Sequence, residues 1–124
     1  MLVGIDVVNV DRFEKLVGED TFFKKYFNEY EREYVMSKAH PAESLAGLYA
    51  SKEAFLKALG IGIGGGIDIK DISIKHDKLG KPYYDIESAD LRDKIDKYSI
   101  KNIDLSISHT GSVSTAICVI LQIA

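Results

Sequence analysis

One cysteine, two prolines, no tryptophan and no long apolar run set the first limits on this sequence. A lone Cys118 excludes a disulfide framework, and with only three histidines beside it a cysteine-rich structural zinc site is excluded too. A reducing, cytoplasmic setting is expected. The longest uninterrupted apolar stretch, Ala116 to Leu121, falls far short of the roughly 18 residues that a membrane span needs. The opening Met-Leu-Val-Gly-Ile-Asp has no basic segment leading into an apolar one, so neither secretion nor membrane insertion is expected. Charge of one sign is lacking as well: 16 basic and 19 acidic residues leave a net charge of −3, with no electrostatic footprint for nucleic acid or anionic lipid. Residues 1 to 60 carry 8 basic and 10 acidic side chains and residues 61 to 124 carry 8 and 9, so composition marks no boundary. The expectation is a single domain over residues 1–124, which buries about two thirds of its unfolded surface and has little room for a deep private cavity.

Glycine is concentrated rather than scarce: five of the seven positions Gly60-Ile61-Gly62-Ile63-Gly64-Gly65-Gly66 are glycine, too many for a regular element. This loop divides a helical half from a mostly β half. Leu2 to Val8 reads as a strand with Leu2, Gly4, Asp6 and Val8 on one face and Val3, Ile5 and Val7 on the other. Short helices are expected around Phe13, from Thr21 to Phe27, and after Asn28, the first capped by Asn9 or Asp11. His40-Pro41-Ala42-Glu43 is the clearest helix start, with proline at the first helical position, and Gly60 is the stop. Leu45, Leu48, Tyr49, Lys52, Phe55, Leu56 and Leu59 then form one stripe of that helix, beside Ala46, Ala50, Glu53 and Lys57. Downstream, a strand with an offset near Asp71 spans Ile67 to His76, a Gly80-Lys81-Pro82 turn makes a hairpin with Tyr83 to Ile86, and Ser88 caps a helix to Tyr98. Ile103, Leu105, Ile107 and His109 alternate as one strand face, and Thr115 to Ile123 reads as an interior strand covered on both faces.

Three polar features need explaining: Asp6 in an apolar strand, Glu53 with Lys52 and Lys57 on the long helix, and His109 at the end of an apolar strand face. A strand carboxylate and a helix carboxylate brought together repel unless a hard cation neutralises them, and Mg²⁺ with oxygen ligands and retained waters is the usual solution. Plain structural readings compete. Asp6 can cap the helix that follows, Glu53 and Lys57 form a favourable i,i+4 pair worth about 0.2–0.5 kcal/mol, Lys52 can snorkel, and His109 can bond to backbone. The glycine run, with Gly64 and Gly65, offers clustered amides to an anion, yet it is no GxGxxG after the first strand and no Gly-Lys-Ser/Thr follows it; a lid or a bend against another subunit accounts for it equally. Ser108-His109-Thr110 has no companion nucleophile motif or ordered carboxylate that would make a hydrolytic triad.

Taken in order, several segments resemble the holo-acyl-carrier-protein synthases, the small bacterial type of 4'-phosphopantetheinyl transferase. They are Gly4-Ile5-Asp6-Val7-Val8 with Asp11-Arg12-Phe13, Leu45-Ala46-Gly47 through Ser51-Lys52-Glu53-Ala54-Phe55 to Lys57-Ala58-Leu59-Gly60, the glycine loop, Gly80-Lys81-Pro82, and Ser106-Ile107-Ser108-His109-Thr110. The resemblance implies an α+β fold, with a mainly antiparallel sheet packed against a long helix and additional short helices. It implies transfer of the 4'-phosphopantetheine moiety of coenzyme A to a serine of apo-acyl carrier protein, releasing adenosine 3',5'-bisphosphate, in a homotrimer with active sites at subunit interfaces. By the same resemblance Asp6 and Glu53 hold Mg²⁺, and Lys52, Lys57, Gly64, Gly65 and His109 lie along coenzyme A. Asp6, Glu53, Lys57 and His109 form the catalytic set, and Arg12, Lys24 and Lys25 face the acidic carrier protein. A metal-positioned water, Glu53 or a relay through His109 are the three choices for taking the serine proton. A non-catalytic module that binds coenzyme A or a phosphometabolite is the alternative. Two positions depart from the family pattern: Leu48 stands where arginine is common, and Ile67 where an aromatic residue is common.

Overall fold

The computed structural model describes residues 1–62 and 65–124, so Ile63 and Gly64, the latter expected along coenzyme A, lie outside the described residues. The chain opens with strand β1 (Leu2–Asn9), then helices α1 (Asp11–Glu14), α2 (Asp20–Tyr26), α3 (Glu29–Met36) and α4 (Pro41–Leu59). A 3-10 turn at Ile69–Asp71 leads into the hairpin of β2 (Ser73–His76) and β3 (Pro82–Asp85), followed by α5 (Ala89–Ile95), β4 (Ile100–His109) and β5 (Val113–Gln122). β5 is the middle of an antiparallel three-stranded sheet in the order β1-β5-β4, which pairs Leu2 with Ile120 at one end of the chain and His109 with Ser114 at the other turn. This is the expected α+β arrangement of antiparallel sheet against a long helix.

Helix α4 lies across the sheet and is buried on nearly every side. It starts at Pro41 and ends on Gly60, whose φ of 73° supplies the left-handed cap. Its contact with β1 is backbone to backbone: a Cβ on Gly4 would stand 1.9 Å from the Ala54 carbonyl oxygen and 2.5 Å from the Ala58 amide nitrogen. Only glycine at position 4, with alanines opposite, lets helix and strand approach this closely. Leu48, at a position where the resemblance leads one to expect arginine, is a core residue at 2% exposure, and Ile67 is buried as well.

Three expectations are corrected. Ile67 to His76 does not form one strand, because the Asp68 carboxylate accepts the Lys70 amide at 3.0 Å and bends the backbone into a turn, leaving only β2 in the ladder. The first helix has no side-chain cap from Asn9 or Asp11; Asn28 instead makes a full capping box with Glu31 at the start of α3. Finally, β5 is covered on one face only. Ser114, Ala116, Cys118 and Ile120 point to α4, while Ile117 and Leu121 share an open face with Val3, Ile5 and Val7 of β1.

Lys52 does not snorkel. Its ammonium is fully buried, 2.8 Å from Glu31 Oε1 and 2.8 Å from the Tyr26 carbonyl, with the Phe27 ring 4.8 Å beneath it. Glu31 is equally buried and fully engaged, accepting the Asn28 amide on Oε1 and the Ile74 amide on Oε2, each at 2.9 Å. Burial pushes the Lys52 pKa down and the Glu31 carboxylate opposes that shift. The pair thus joins α4, the start of α3 and β2. Removing one partner leaves an uncompensated buried charge, so Lys52→Met is expected to lose about 3–5 kcal/mol in urea unfolding, part of which Lys52→Met/Glu31→Gln recovers. An unchanged urea midpoint in the single variant contradicts this role.

Candidate functional site

Asp6 sits on the helix-facing side of β1, two residues beyond Gly4, and so meets α4 one turn from the tight contact. Its Oδ1 accepts from Lys57 Nζ at 3.0 Å, and the same ammonium reaches the Ile5 carbonyl at 3.2 Å. The other oxygen, Oδ2, is buried with no hydrogen-bond partner. Glu53, four residues before Lys57 on the same helix, is in the same state: its Oε1 is buried and partnerless. A buried acceptor without a donor costs free energy, and two such oxygens on neighbouring carboxylates are groups that could hold a cation.

The electrostatics agree. Burial holds the Glu53 carboxyl above the ordinary glutamate range and the Asp6 charge raises it further, against weaker opposition from Lys57, Tyr49 and Arg12. A hard divalent cation bound here would pair both carboxylates and give the two orphan oxygens a partner. Among the described residues no group of three or more His, Cys, Asp and Glu side chains could hold a metal, so any cation here draws its other oxygen ligands from substrate and water.

The remaining site residues are placed unevenly. Lys57 is half-exposed at the Asp6 end of the cluster. Lys52, expected along coenzyme A, is the buried core cation described above and is turned away from the cluster. His109 lies against the N-terminal half of α4, where a Cβ on Gly47 would come within 2.7 Å of its Cε1. Its Nδ1 is 2.6 Å from Ser114 Oγ, which in turn donates to the Glu43 carbonyl. Gly47 precedes Glu53 by six residues, about 9 Å along the axis, so His109 stands apart from the carboxylates on the same side of the helix-sheet layer. Gly65 is exposed. Lys24 and Lys25 are exposed on α2, the first paired with Asp20 at 3.0 Å and the second over the Tyr26 ring. Arg12, also exposed, stacks at 5.0 Å on Tyr49 and donates to its hydroxyl at 3.4 Å. Tyr49 has the spacing of the apolar stripe, and its hydroxyl, one turn before Glu53, is the feature that sets it apart from the rest of that stripe.

Residues 2–118 match the family described as the 4'-phosphopantetheinyl transferase superfamily. The chain is 40% identical over 119 residues to the holo-[acyl-carrier-protein] synthase of Syntrophus aciditrophicus (strain SB), covering 94% of this chain and 92% of that one. Its fold is similar to the crystal structure of the holo-[acyl-carrier-protein] synthase of Neisseria meningitidis, with a TM-score of 0.86 and 29% identity over 98% of this chain and 100% of that one. It is also similar to the Helicobacter pylori synthase crystallised in complex with coenzyme A, with a TM-score of 0.83 and 30% identity over 97% and 100%.

Glu53 has a folded pKa above its unfolded value, so its ionisation opposes folding above the folded pKa and ceases to do so below the unfolded one. Glu53→Gln is therefore expected to raise the melting temperature of the cation-free protein at neutral pH. The gain should fade as pH falls from the raised value toward the ordinary glutamate pKa of about 4.3. Scanning calorimetry in a chelator at several pH values checks this, and a variant less stable than the parent at pH 7 contradicts it.

Proposed function

Because the chain belongs to the holo-acyl-carrier-protein synthases of the 4'-phosphopantetheinyl transferase superfamily, we propose that it moves the 4'-phosphopantetheine arm of coenzyme A onto a serine of apo-acyl carrier protein. The serine oxygen attacks the β-phosphorus, the bond from that phosphorus to the bridging diphosphate oxygen breaks, and adenosine 3',5'-bisphosphate leaves with that oxygen while the serine proton passes to a metal-positioned water, to Glu53 or into a relay through His109. Family membership makes the chain a phosphopantetheinyl transferase; the observation that carries the detailed reading is the pair of buried, partnerless oxygens on Asp6 and Glu53.

In this reading Asp6 and Glu53 hold Mg²⁺. When bound between them, Mg²⁺ would supply charge neutralisation at the diphosphate and at the leaving-group oxygen. Lys57 spends two of its three ammonium donors on Asp6 and the Ile5 carbonyl and has one left for a phosphate oxygen. His109, with Nδ1 engaged by Ser114, presents its other ring nitrogen to the coenzyme phosphates or to a proton relay. Gly64 and Gly65, both in the glycine loop, line the coenzyme in this reading. Arg12, Lys24 and Lys25 form the exposed basic strip that meets the acidic carrier protein, so an overall charge of −3 is no obstacle.

The open sheet face supports self-association. Val3, Ile5, Val7, Ile117 and Leu121 are 37–61% exposed on one contiguous apolar surface, larger side chains than an isolated chain of this size gains from showing to water. We take three copies to cover it, as a homotrimer of single-domain chains working in the cytoplasm, with each active site completed by a neighbour.

Incubating the protein with Mg²⁺, coenzyme A and apo-acyl carrier protein should add about 340 Da to the carrier by mass spectrometry, the mass of one covalently attached arm. Asp6→Ala or Glu53→Ala is expected to lower turnover by at least about a hundredfold while the fold survives. Coenzyme A binding with no mass increase on any of several carriers would instead make this a non-catalytic binding module. For the assembly, sedimentation equilibrium should give a trimer for the parent and a smaller species for Val3→Lys; a monomeric parent rejects the shared site.

A further inference from the structure

His109 and Ser114 are cross-strand partners at the turn that joins β4 to β5. The Thr110 amide closes that turn by donating to the Val113 carbonyl at 3.0 Å, and Gly111, at a φ of 91°, supplies the left-handed residue within it. Ser114 is fully buried, and a hydroxyl has one proton to give. The Glu43 carbonyl, 3.2 Å away in the first turn of α4, only accepts, so that proton is used there. His109 Nδ1, 2.6 Å from the same Oγ, is therefore the donor of the second bond. In the neutral ring this places the hydrogen on Nδ1 and leaves Nε2 with a lone pair. Helix α4 completes the grip, because a Cβ on Gly47 would stand 2.7 Å from His109 Cε1 and 3.4 Å from Nε2. The far edge of the ring thus rests on a helix position that has no side chain.

We propose that Ser114 is a positioning residue: by accepting from Nδ1 and donating to the Glu43 carbonyl, it fixes His109 in the tautomer whose Nε2 is bare. This rests on the reading of His109 as part of the transfer site, and it chooses between the two tasks open to that residue. A bare Nε2 cannot donate to a phosphate oxygen. It accepts the proton that a relay brings from the attacked serine, and the ring becomes an imidazolium still bonded through Nδ1 to Ser114. Only in that charged form does Nε2–H offer a hydrogen bond to phosphate, and the proton returns to water once the products have left.

The test reads the position of the hydrogen. Two-bond ¹H–¹⁵N correlation spectra of the labelled full chain, at a pH where the rings are neutral, show which nitrogen of each of the three histidines is protonated, and the signals lost in His109→Gln are its own. The parent is expected to have Nδ1 protonated and Nε2 bare, and Ser114→Ala to move His109 toward the Nε2–H form that an unconstrained imidazole prefers. Nε2–H at His109 in the parent, or a Ser114→Ala spectrum identical to the parent's, overturns the proposal. If Ser114→Ala does not fold, Ser114→Cys, whose thiol is the weaker acceptor, must shift the tautomer in the same direction; an unchanged spectrum there overturns the proposal too. In the transfer reaction Ser114→Ala should lower kcat by about tenfold, part of the roughly hundredfold or more that a positioned acid-base group contributes, with KM for coenzyme A nearly unchanged. It should lower kcat no further in a chain already carrying His109→Ala. Equal losses in both backgrounds mean that Ser114 serves the fold alone and reject the positioning role. A parent that transfers nothing to the carrier removes the transfer reading and the inference with it, whereas a working transferase with Nε2–H at His109 removes the inference alone.

Discussion

The contact of β1 with α4 at Gly4 is a meeting of two backbones with no side chain between them, and most of the molecule is arranged around it. A methyl group there would lie inside the Ala54 carbonyl, so any larger residue would push the helix off the strand. That separation sets how far Asp6 stands from the next turns of α4. With the helix seated, Asp6 is drawn into the layer beside Glu53 and Lys57; with it lifted, the three groups would part and each would return to water. Close packing of glycine and alanine is therefore what converts an acidic residue on a strand into half of a two-carboxylate site.

Adjacent residues of α4 carry opposite solutions to the same electrostatic problem. Lys52 and its partner Glu31 are buried more deeply than the site, yet their donors and acceptors are used by each other and by the Tyr26, Asn28 and Ile74 backbone. Glu53, the next residue, is less buried and left incomplete. A satisfied buried network is rigid, whereas an unsatisfied one is poised to take a ligand. The helix is held in rotation by the first, and this fixes the direction in which the second faces. The two together explain why a helix so apolar contains three charged residues within its last eight.

Much of this was legible in the residues. His40-Pro41 and Gly60 mark α4 to the residue, alternation marks β4, and an aspartate within Leu2 to Val8 stands out because nothing local requires it. What could not be read depended on distant partners. Glu31 looks like one more acid in a charged helix until Lys52, 21 residues on, is folded against it. Asp68 broke an apparent strand through a local side-chain bond that periodicity does not register. Tyr49 has the spacing of a core residue and is one, so only its hydroxyl partners separate it from a phenylalanine. An apolar run such as Ala116 to Leu121 signals burial but not whose surface provides it, and here α4 covers one face alone.

The pairing of Leu2 with Ile120 bears on how the molecule comes together. The helices and the β2-β3 hairpin involve near neighbours and can form early, but β1 has no sheet partner until β5 exists, and β5 is the last strand made. Closing so long a loop is a slow step set by topology rather than by local preference. During synthesis the Val3, Ile5 and Val7 edge must wait unpaired, open to wrong partners, while most of the chain emerges. The carboxylate pair is thus held in a sheet that is complete only once β5 has joined β1.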